Sequence, residues 1–183
     1  MPEAQPLKQA MPSEADILCS IFGACFAESM RTRLLGGGEE PLYQPAKSSD
    51  DYHQIIFRSD YAASALHEVS HWCIAGERRR QQLDYGYWYE PDGRSVAQQR
   101  VFESVEARPQ ALEWLFRVSI DNLNGDAVDP FPFQLAVWQA VHRYLANGLP
   151  TRAAVFWRAL QKYYALPQSA DPRSYTLESI IAI

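Results

Sequence analysis

The sequence HEVSH at residues 67–71 constrains this chain more than any other feature. Residues four positions apart lie on the same face of an α-helix, so both imidazoles can close on one metal ion. The flanks agree with a helix, because residues 61–75 contain neither proline nor glycine, Ser59 can cap the start and Gly76 can end it. We therefore predict a metal site on this helix, with Glu68 close enough to take part in its chemistry. The alternative is that His67 and His71 are ordinary helix residues.

Length and composition bound the class of protein. The chain has 183 residues, of which 47% are hydrophobic and 13% aromatic, and this fits one folded domain with a sizeable core. It has no run of about 18 apolar residues and no signal-peptide pattern at its N-terminus, so we expect neither a membrane span nor export. Three cysteines without a CxxC pair favour reduced thiols and a cytoplasmic location.

The distribution of charge limits the partners. A net charge of −5 argues against direct nucleic-acid binding by the surface as a whole. The local exception is the run of three arginines at residues 78–80, directly after the predicted histidine helix. These cations can complement the dipole at the end of that helix, or they can form a basic patch for an acidic partner near the site.

Hydrophobic periodicity and turn residues predict a single α+β domain, in which several helices surround a small β-sheet. Residues 1–12, with three prolines, are predicted to be a flexible tail, which leaves 13–183 as the domain. The predicted helices span residues 13–35, 61–75, 95–106, 109–118, 133–146 and 151–164, and the predicted strands span 53–58 and 83–89. Pro109 disfavours helix at Arg108 but suits the first turn of a helix, so an interruption is expected between residues 106 and 109. Residues 91–93 are expected to form a turn and residues 121–132 a loop.

Two histidines leave a metal under-coordinated, so a third protein ligand must come from elsewhere in the chain. The richest source is the segment 102–114, which places four polar side chains 3, 4 and 3 residues apart: Glu103, Glu106, Gln110 and Glu113. We favour Glu106 as the third ligand, with Glu103 as its substitute. His53 begins a predicted strand and stays possible, whereas His142 lies in an amphipathic helix and is interpreted as a helix-face residue.

Two histidines and one carboxylate suit two chemistries. With zinc, a bound water is activated and Glu68 serves as the general base of a hydrolase (a peptidase or nuclease), which is the usual meaning of HExxH. With iron(II), the same ligands on one face leave positions open for O2 and substrate, as in an oxygenase. Imidazole and carboxylate accept both metals, so the ligand types leave both chemistries open.

The wider sequence resembles the bacterial elongation factor P hydroxylase family over about residues 14–165. The resemblance is carried by YAASALHEVSHWCIAG at 61–76, DYGYWY at 84–89 with PDGR at 91–94, the segment 102–114, DNLNGD at 121–126 and YLANGLP at 144–150. It implies a cytoplasmic non-haem iron enzyme whose fold is similar to that of a bacterial metal-dependent ribosomal-RNA maturation nuclease. His67 and His71 match the family's metal-binding histidines. The resemblance implies that Glu106 corresponds to the family's carboxylate ligand.

The resemblance also implies a reaction. In the family, the substrate is elongation factor P that already carries a β-lysyl group on one lysine, and the enzyme hydroxylates that modified lysine with O2. No histidine in this chain is followed at the second position by Asp or Glu, so the HxD signature of 2-oxoglutarate dioxygenases is missing. The use of 2-oxoglutarate therefore stays open.

A lysine extended by a second amino acid is a long side chain that bears two amino groups. Its site needs acids to pair with the ammonium groups and aromatic walls for the methylene stem. From residue type alone, the candidate substrate-binding residues are Trp72, Tyr85, Trp88, Glu103, Glu113, Asp121 and Asp126.

Overall fold

A computed structural model of the chain describes residues 11–86, 95–120, 131–166 and 171–181. Within these ranges the fold is α+β, with six α-helices around one three-stranded sheet, as predicted. The helices are α1 (Glu14–Met30), α2 (Ala62–Ile74), α3 (Val96–Val118), α4 (Phe131–Asn147), α5 (Thr151–Tyr164) and α6 (Leu177–Ile181), and the strands are β1 (Thr32–Gly38), β2 (Leu42–Gln44) and β3 (His53–Arg58). Most of the predicted tail lies outside the described residues.

The sheet has the order β1-β3-β2, in which β3 is parallel to β1 and antiparallel to β2. The predicted strand at 53–58 is confirmed as β3, while β2 was not predicted. The predicted helix 13–35 is wrong beyond Met30, because Arg31 takes a left-handed conformation (φ 44°) and ends α1. From Thr32 the burial alternates with the two-residue period of a strand.

The glycines at residues 36–38 form the end of strand β1. A Cβ atom on Gly36 would lie 2.9 Å from the ring of Phe57, and one on Gly38 would lie 2.8 Å from the carbonyl oxygen of Glu40. Glycine therefore allows the end of β1 to pack closely on β3.

Helix α2 confirms the predicted histidine helix to within one residue at each end. The predicted cap is wrong, because Ser59 lies outside the helix in a left-handed conformation (φ 51°) and Tyr61 takes the N-cap position without a side-chain bond. The next serine connects the helix to the sheet instead, since the Ser64 hydroxyl accepts a hydrogen bond from the backbone N–H of Arg58 (3.1 Å).

The C-terminal end of α2 is held by Arg152 of α5. Its Nη2 lies within hydrogen-bond distance of the carbonyls of Trp72 (2.9 Å), Cys73 (3.1 Å) and Ala75 (2.5 Å), which share its two hydrogens. The guanidinium carbon lies 4.9 Å from the centre of the Trp72 ring. The last carbonyls of a helix have no partner within the helix, so a cation here supplies both hydrogen bonds and favourable charge. Arg80 adds a bond to the Ala75 carbonyl (2.8 Å), which confirms the helix-end interpretation for this arginine.

Helix α3 is continuous from Val96 to Val118, so the predicted interruption at Pro109 is wrong. Proline cannot donate a hydrogen bond to the carbonyl of Val105, and inside a helix this costs about 3 kcal/mol. Two features outweigh that cost. Ser95 and Gln98 form a capping box at the start. Buried residues lie on both sides of the proline, and the helix packs against α2 and α4.

Some of the remaining predictions are confirmed and others are wrong. The predicted strand 83–89 is wrong in its described part, where Leu83–Gly86 form a short 3-10 helix. Residues 87–89, the predicted turn 91–93 and most of the predicted loop 121–132 lie outside the described residues, although α4 already begins at Phe131. The helices at 133–146 and 151–164 are confirmed, and α6 was not predicted. Among the described residues, no helix is both long enough and apolar enough to cross a membrane.

Candidate active site

Helices α2 and α3 bring three donor atoms together. His67 Nε2 lies 3.1 Å from His71 Nε2, and Glu106 Oε2 lies 3.5 Å and 3.2 Å from those two nitrogens. Ligand atoms that each lie about 2.1 Å from one metal ion are about 3.0–3.4 Å apart. Two of the three separations lie within that range and the third exceeds it by 0.1 Å, so these residues could hold a divalent metal.

The three side chains differ in their access to solvent. The Glu106 side chain is 3% exposed and that of His71 9%, whereas that of His67 is 30% exposed. Burial of a carboxylate to this degree is costly unless a cation or hydrogen-bond donors lie beside it. The arrangement therefore calls for positive charge at the point where the three donor atoms meet, and a bound metal ion would supply it.

The other ring nitrogen of His67 is held by Glu113, also on α3. His67 Nδ1 lies 2.9 Å from Glu113 Oε2, and Glu113 Oε1 lies 3.6 Å from Arg117 Nη1. Burial lowers the pKa of His67, but the hydrogen bond and charge of Glu113, with the charges of Glu68 and Glu106, raise it to about 9. A proton kept on Nδ1 leaves Nε2 facing the donor cluster, as in the carboxylate–histidine pairs that support metal ligands.

The Glu113 contact makes a testable prediction. Replacing Glu113 by alanine removes the group that orients His67, so we expect the affinity for a divalent metal to fall about 10–100-fold. Glu113→Gln keeps a hydrogen-bond acceptor and should lose less. Competition with a metal chelator would measure both affinities. Alanine at this position with unchanged affinity would show that His67 needs no such orientation.

A cavity of about 400 Å³ lies against the three donor atoms. Its wall combines four carboxyl groups with aromatic and amide side chains, and is formed by Glu40, Pro41, His67, Glu68, His71, Asp84, Tyr85, Phe102, Glu106 and Gln110. The described lining contains no lysine or arginine. We call this space the acidic cavity. Its charge favours a cationic ligand over an anionic one.

Glu68 lines the acidic cavity but is not one of the three converging donors. Burial raises the pKa of Glu68, and the charges of Glu106 and Asp84 add to that effect. The charges of His67 and His71 act in the opposite direction. Its carboxyl group is therefore placed where it can hold or transfer a proton at the wall of the cavity.

Tyr85 reaches the acidic cavity from an unusual turn. Asp84 and Tyr85 both have left-handed backbone conformations (φ 47° and 58°), which are strained for residues other than glycine. Two contacts with β2 hold the turn. Asp84 Oδ1 accepts the backbone N–H of Tyr43 (2.7 Å), and the Tyr85 ring stacks on the Tyr43 ring with 4.3 Å between centres. The Tyr85 hydroxyl is buried and has no hydrogen-bond partner among the described residues.

The structure places the other predicted substrate residues differently. Trp72 is fully buried in the core, with its ring centre 5.2 Å from that of Phe22 and 4.8 Å from that of Phe26, so it does not line the cavity. Glu103 accepts a hydrogen bond from Gln99 Nε2 (3.1 Å) and belongs neither to the donor cluster nor to the cavity wall. Three further candidates lie outside the described residues: Trp88, Asp121 and Asp126.

The two remaining histidines have partners away from the cluster. His53 Nδ1 accepts the backbone N–H of Ala46 (3.1 Å), and His142 Nε2 lies 3.0 Å from the carbonyl of Tyr175. Sequence reasoning missed the contributions of Glu40, Pro41 and Phe102. The spacing of Phe102, Glu106 and Gln110, four residues apart on one helix, was a usable signal for Phe102. Nothing in the sequence marked the two residues between β1 and β2.

Comparison with known proteins defines the class. The model of the elongation factor P hydroxylase family matches residues 21–174, a range that contains α2 and α3, and the chain belongs to this family. A Haemophilus influenzae protein described as elongation factor P lysine hydroxylase is 47% identical over 163 residues. That alignment covers 85% of this chain and 92% of the relative. The resemblance predicted from the sequence motifs is therefore confirmed.

Proposed function

We propose that this chain is a cytoplasmic hydroxylase of elongation factor P, which uses iron(II) and O2 and acts on a lysine that carries a β-lysyl group. Family membership and the description of the relative support hydroxylation of this protein substrate. The observation that carries the proposal of a bound metal is the convergence of His67, His71 and Glu106 on one point. Hydroxylation requires a metal that can change its oxidation state, which favours iron(II) over zinc at these donors. Two histidines and one carboxylate that leave positions open are the donor set of non-haem iron oxygenases.

The chain's own residues would bind the metal, orient the metal ligands and shield the site from water. Bound iron(II) would supply the electron-transfer chemistry that activates O2. Glu113 keeps the Nε2 of His67 directed at the donor cluster, and the packing of α2 on α3 sets the position of Glu106 relative to both histidines. The deep burial of Glu106 and His71 keeps bulk water away from this side of the cluster.

The acidic cavity suits a substrate side chain with two amino groups. Glu40 and Asp84 lie in its wall and can pair with ammonium groups, while Phe102 offers an apolar surface to the methylene stem. Tyr85 adds an aromatic side chain to the same wall. A lysine without the added β-lysyl group would leave one of these acidic partners without a cation.

Mass spectrometry of the substrate tests the proposal. β-Lysylated elongation factor P is incubated without O2 with the iron(II)-loaded protein and a reductant, and air is then admitted. We expect a gain of one oxygen atom, about 16 Da, only after O2 enters. Unmodified elongation factor P and the His67→Ala variant serve as controls and should show no gain. A zinc-loaded protein that cleaves peptide or RNA while the substrate mass stays unchanged would establish the hydrolase alternative instead.

Glu68 separates the two chemistries. A hydrolase requires it to take a proton from metal-bound water, and loss of such a base costs about 10²–10⁴ in rate. In a hydroxylase it has no obligatory proton step. We therefore expect Glu68→Gln to slow hydroxylation by about 10–100-fold, as for a group that orients the metal ligands. His67→Ala and His71→Ala should each slow it more. Equal and complete loss in all three variants would contradict this role.

A further inference from the structure

A second cavity, of about 610 Å³, lies beside the acidic one and shares His71 with it. It is formed by the end of α2, the residues that follow it, and the middle of α3. Its lining includes three arginines (Arg78, Arg79 and Arg108) and one acid, Glu77. We call it the arginine cavity. The two cavities therefore present opposite charges on either side of one histidine of the donor cluster.

The arginines of this cavity are placed to contact a partner. Arg78, Arg79 and Arg108 are exposed, although Arg79 Nη1 also donates to the carbonyl of Tyr85 (3.4 Å). Arg108 is steadied by a hydrogen bond from its Nε to the hydroxyl of Tyr144 (3.3 Å), which leaves its two terminal nitrogens available. Among the described residues, no carboxylate pairs with Arg78 or Arg108, and no side chain contacts the Arg78 guanidinium. Arg80, in contrast, is engaged by the end of α2.

We propose that the arginine cavity binds an acidic segment of the protein substrate, adjacent to the lysine that enters the acidic cavity. This inference rests on the proposed function. A substrate segment that crosses His71 would place its cationic side chain in one cavity and its neighbouring carboxylates in the other. Guanidinium groups recognise carboxylates through paired hydrogen bonds, so arginine suits this contact.

Two observations favour a polypeptide over a small anion. The three arginines that line the cavity are exposed residues, whereas the tight site of a small anion would surround it with buried donors. In addition, the chain carries a net charge of −5, so most of its surface repels an acidic partner. A local group of arginines on such a surface both attracts that partner and sets its orientation.

Charge reversal at two arginines tests the inference. The variant Arg78→Glu/Arg108→Glu is compared with the unsubstituted protein on β-lysylated elongation factor P at low salt. We expect the KM and the Kd for this substrate to rise at least about tenfold, with kcat changed less than about twofold, and the difference to shrink as salt is added. A short peptide with the modified lysine between neutral residues should be turned over with an unchanged KM.

Two further variants control for folding and for general charge. Arg78→Glu alone disturbs no contact among the described residues and should raise the KM about threefold. Arg158→Glu changes an exposed arginine of α5 that lines neither cavity, and the KM should stay within about twofold of its original value.

Several outcomes would overturn the inference. These are an unchanged KM for the intact substrate in the double variant, or an equal loss on the neutral peptide. A third outcome is that citrate binds with a micromolar Kd, that the double variant no longer binds it, and that turnover of the neutral peptide requires citrate. This result would define a small-anion site. The proposed function fails in a different way. If the intact substrate binds in an arginine-dependent manner but is never hydroxylated, docking stands and hydroxylation is refuted.

Discussion

Glu106→Gln is expected to lose bound metal and hydroxylation together, although it changes only one atom of a side chain. The carboxylate supplies the single anionic donor among the three converging groups and is almost completely buried. A neutral amide in that position binds a divalent cation poorly. We expect metal affinity to fall by more than about 10²-fold, beyond the loss typical of an orienting neighbour. Metal analysis and the substrate mass assay would measure the two effects.

Glu103→Gln is the matched control for this prediction. It makes the same chemical change on the same helix, one turn earlier, at a carboxylate that accepts a hydrogen bond from Gln99. Metal content and hydroxylation should stay within about twofold of the original values, because Glu103 is not one of the three converging donors and glutamine can still accept the hydrogen bond from Gln99. Loss of metal in Glu103→Gln, with metal retained in Glu106→Gln, would reverse the assignment of the third ligand.

Arg152→Met is expected to produce the largest loss of stability. The substitution keeps much of the side-chain volume but removes the donor to three carbonyls at the end of α2, and hydrogen bonds to charged groups contribute about 1.5–3 kcal/mol each. Because the bonds share one guanidinium and are not additive, we expect the free energy of unfolding to fall by about 2–4 kcal/mol. For a chain of this size, that corresponds to a fall in Tm of about 5–15 °C. Thermal unfolding would measure it.

A control from the same helix completes that experiment. Arg158→Met removes an exposed guanidinium that has no side-chain partner among the described residues, and should change stability by less than about 0.5 kcal/mol. Because Arg152 holds the helix that carries both histidines, its loss should also weaken metal binding at temperatures below the transition. If Arg152→Met lowers the stability but leaves the metal affinity unchanged, the positions of the two histidines do not depend on how the end of α2 is held.

Local sequence patterns predicted the elements that depend on local information. The histidine helix carries no proline or glycine, and β3 is a short apolar run, so both were located to within one residue. Residues 32–35 were misassigned because their identity as a strand comes from pairing with residues 53–56, about 20 positions away. The continuity of α3 across Pro109 was also missed, because packing against α2 and α4 outweighs a local preference for a break.

In the candidate site too, local patterns predicted some features and tertiary packing determined the others. The i, i+4 spacing placed His67 and His71 on one face of a helix, and the i, i+3 and i, i+4 series on α3 reduced the third donor to a few acids. The choice between Glu106 and Glu103 needed the relative rotation of two helices, which no sequence pattern contains. The distinct task of Glu113, and the inclusion of Glu40 and Tyr85 in one wall, depend on how loops and strands pack around that pair of helices.

The left-handed turn at Asp84 and Tyr85 links the register of β2, the shortest strand, to the shape of the acidic cavity. Tyr43 of β2 supplies both the amide that holds Asp84 and the ring that supports Tyr85. Neighbouring residues of a strand face opposite sides of a sheet, so an insertion of one residue within β2 would turn Tyr43 away from both. Such a change would remodel the cavity wall without touching a metal ligand. Among relatives with different substrates, the edge strand is therefore the place where selectivity can diverge while the chemistry is retained.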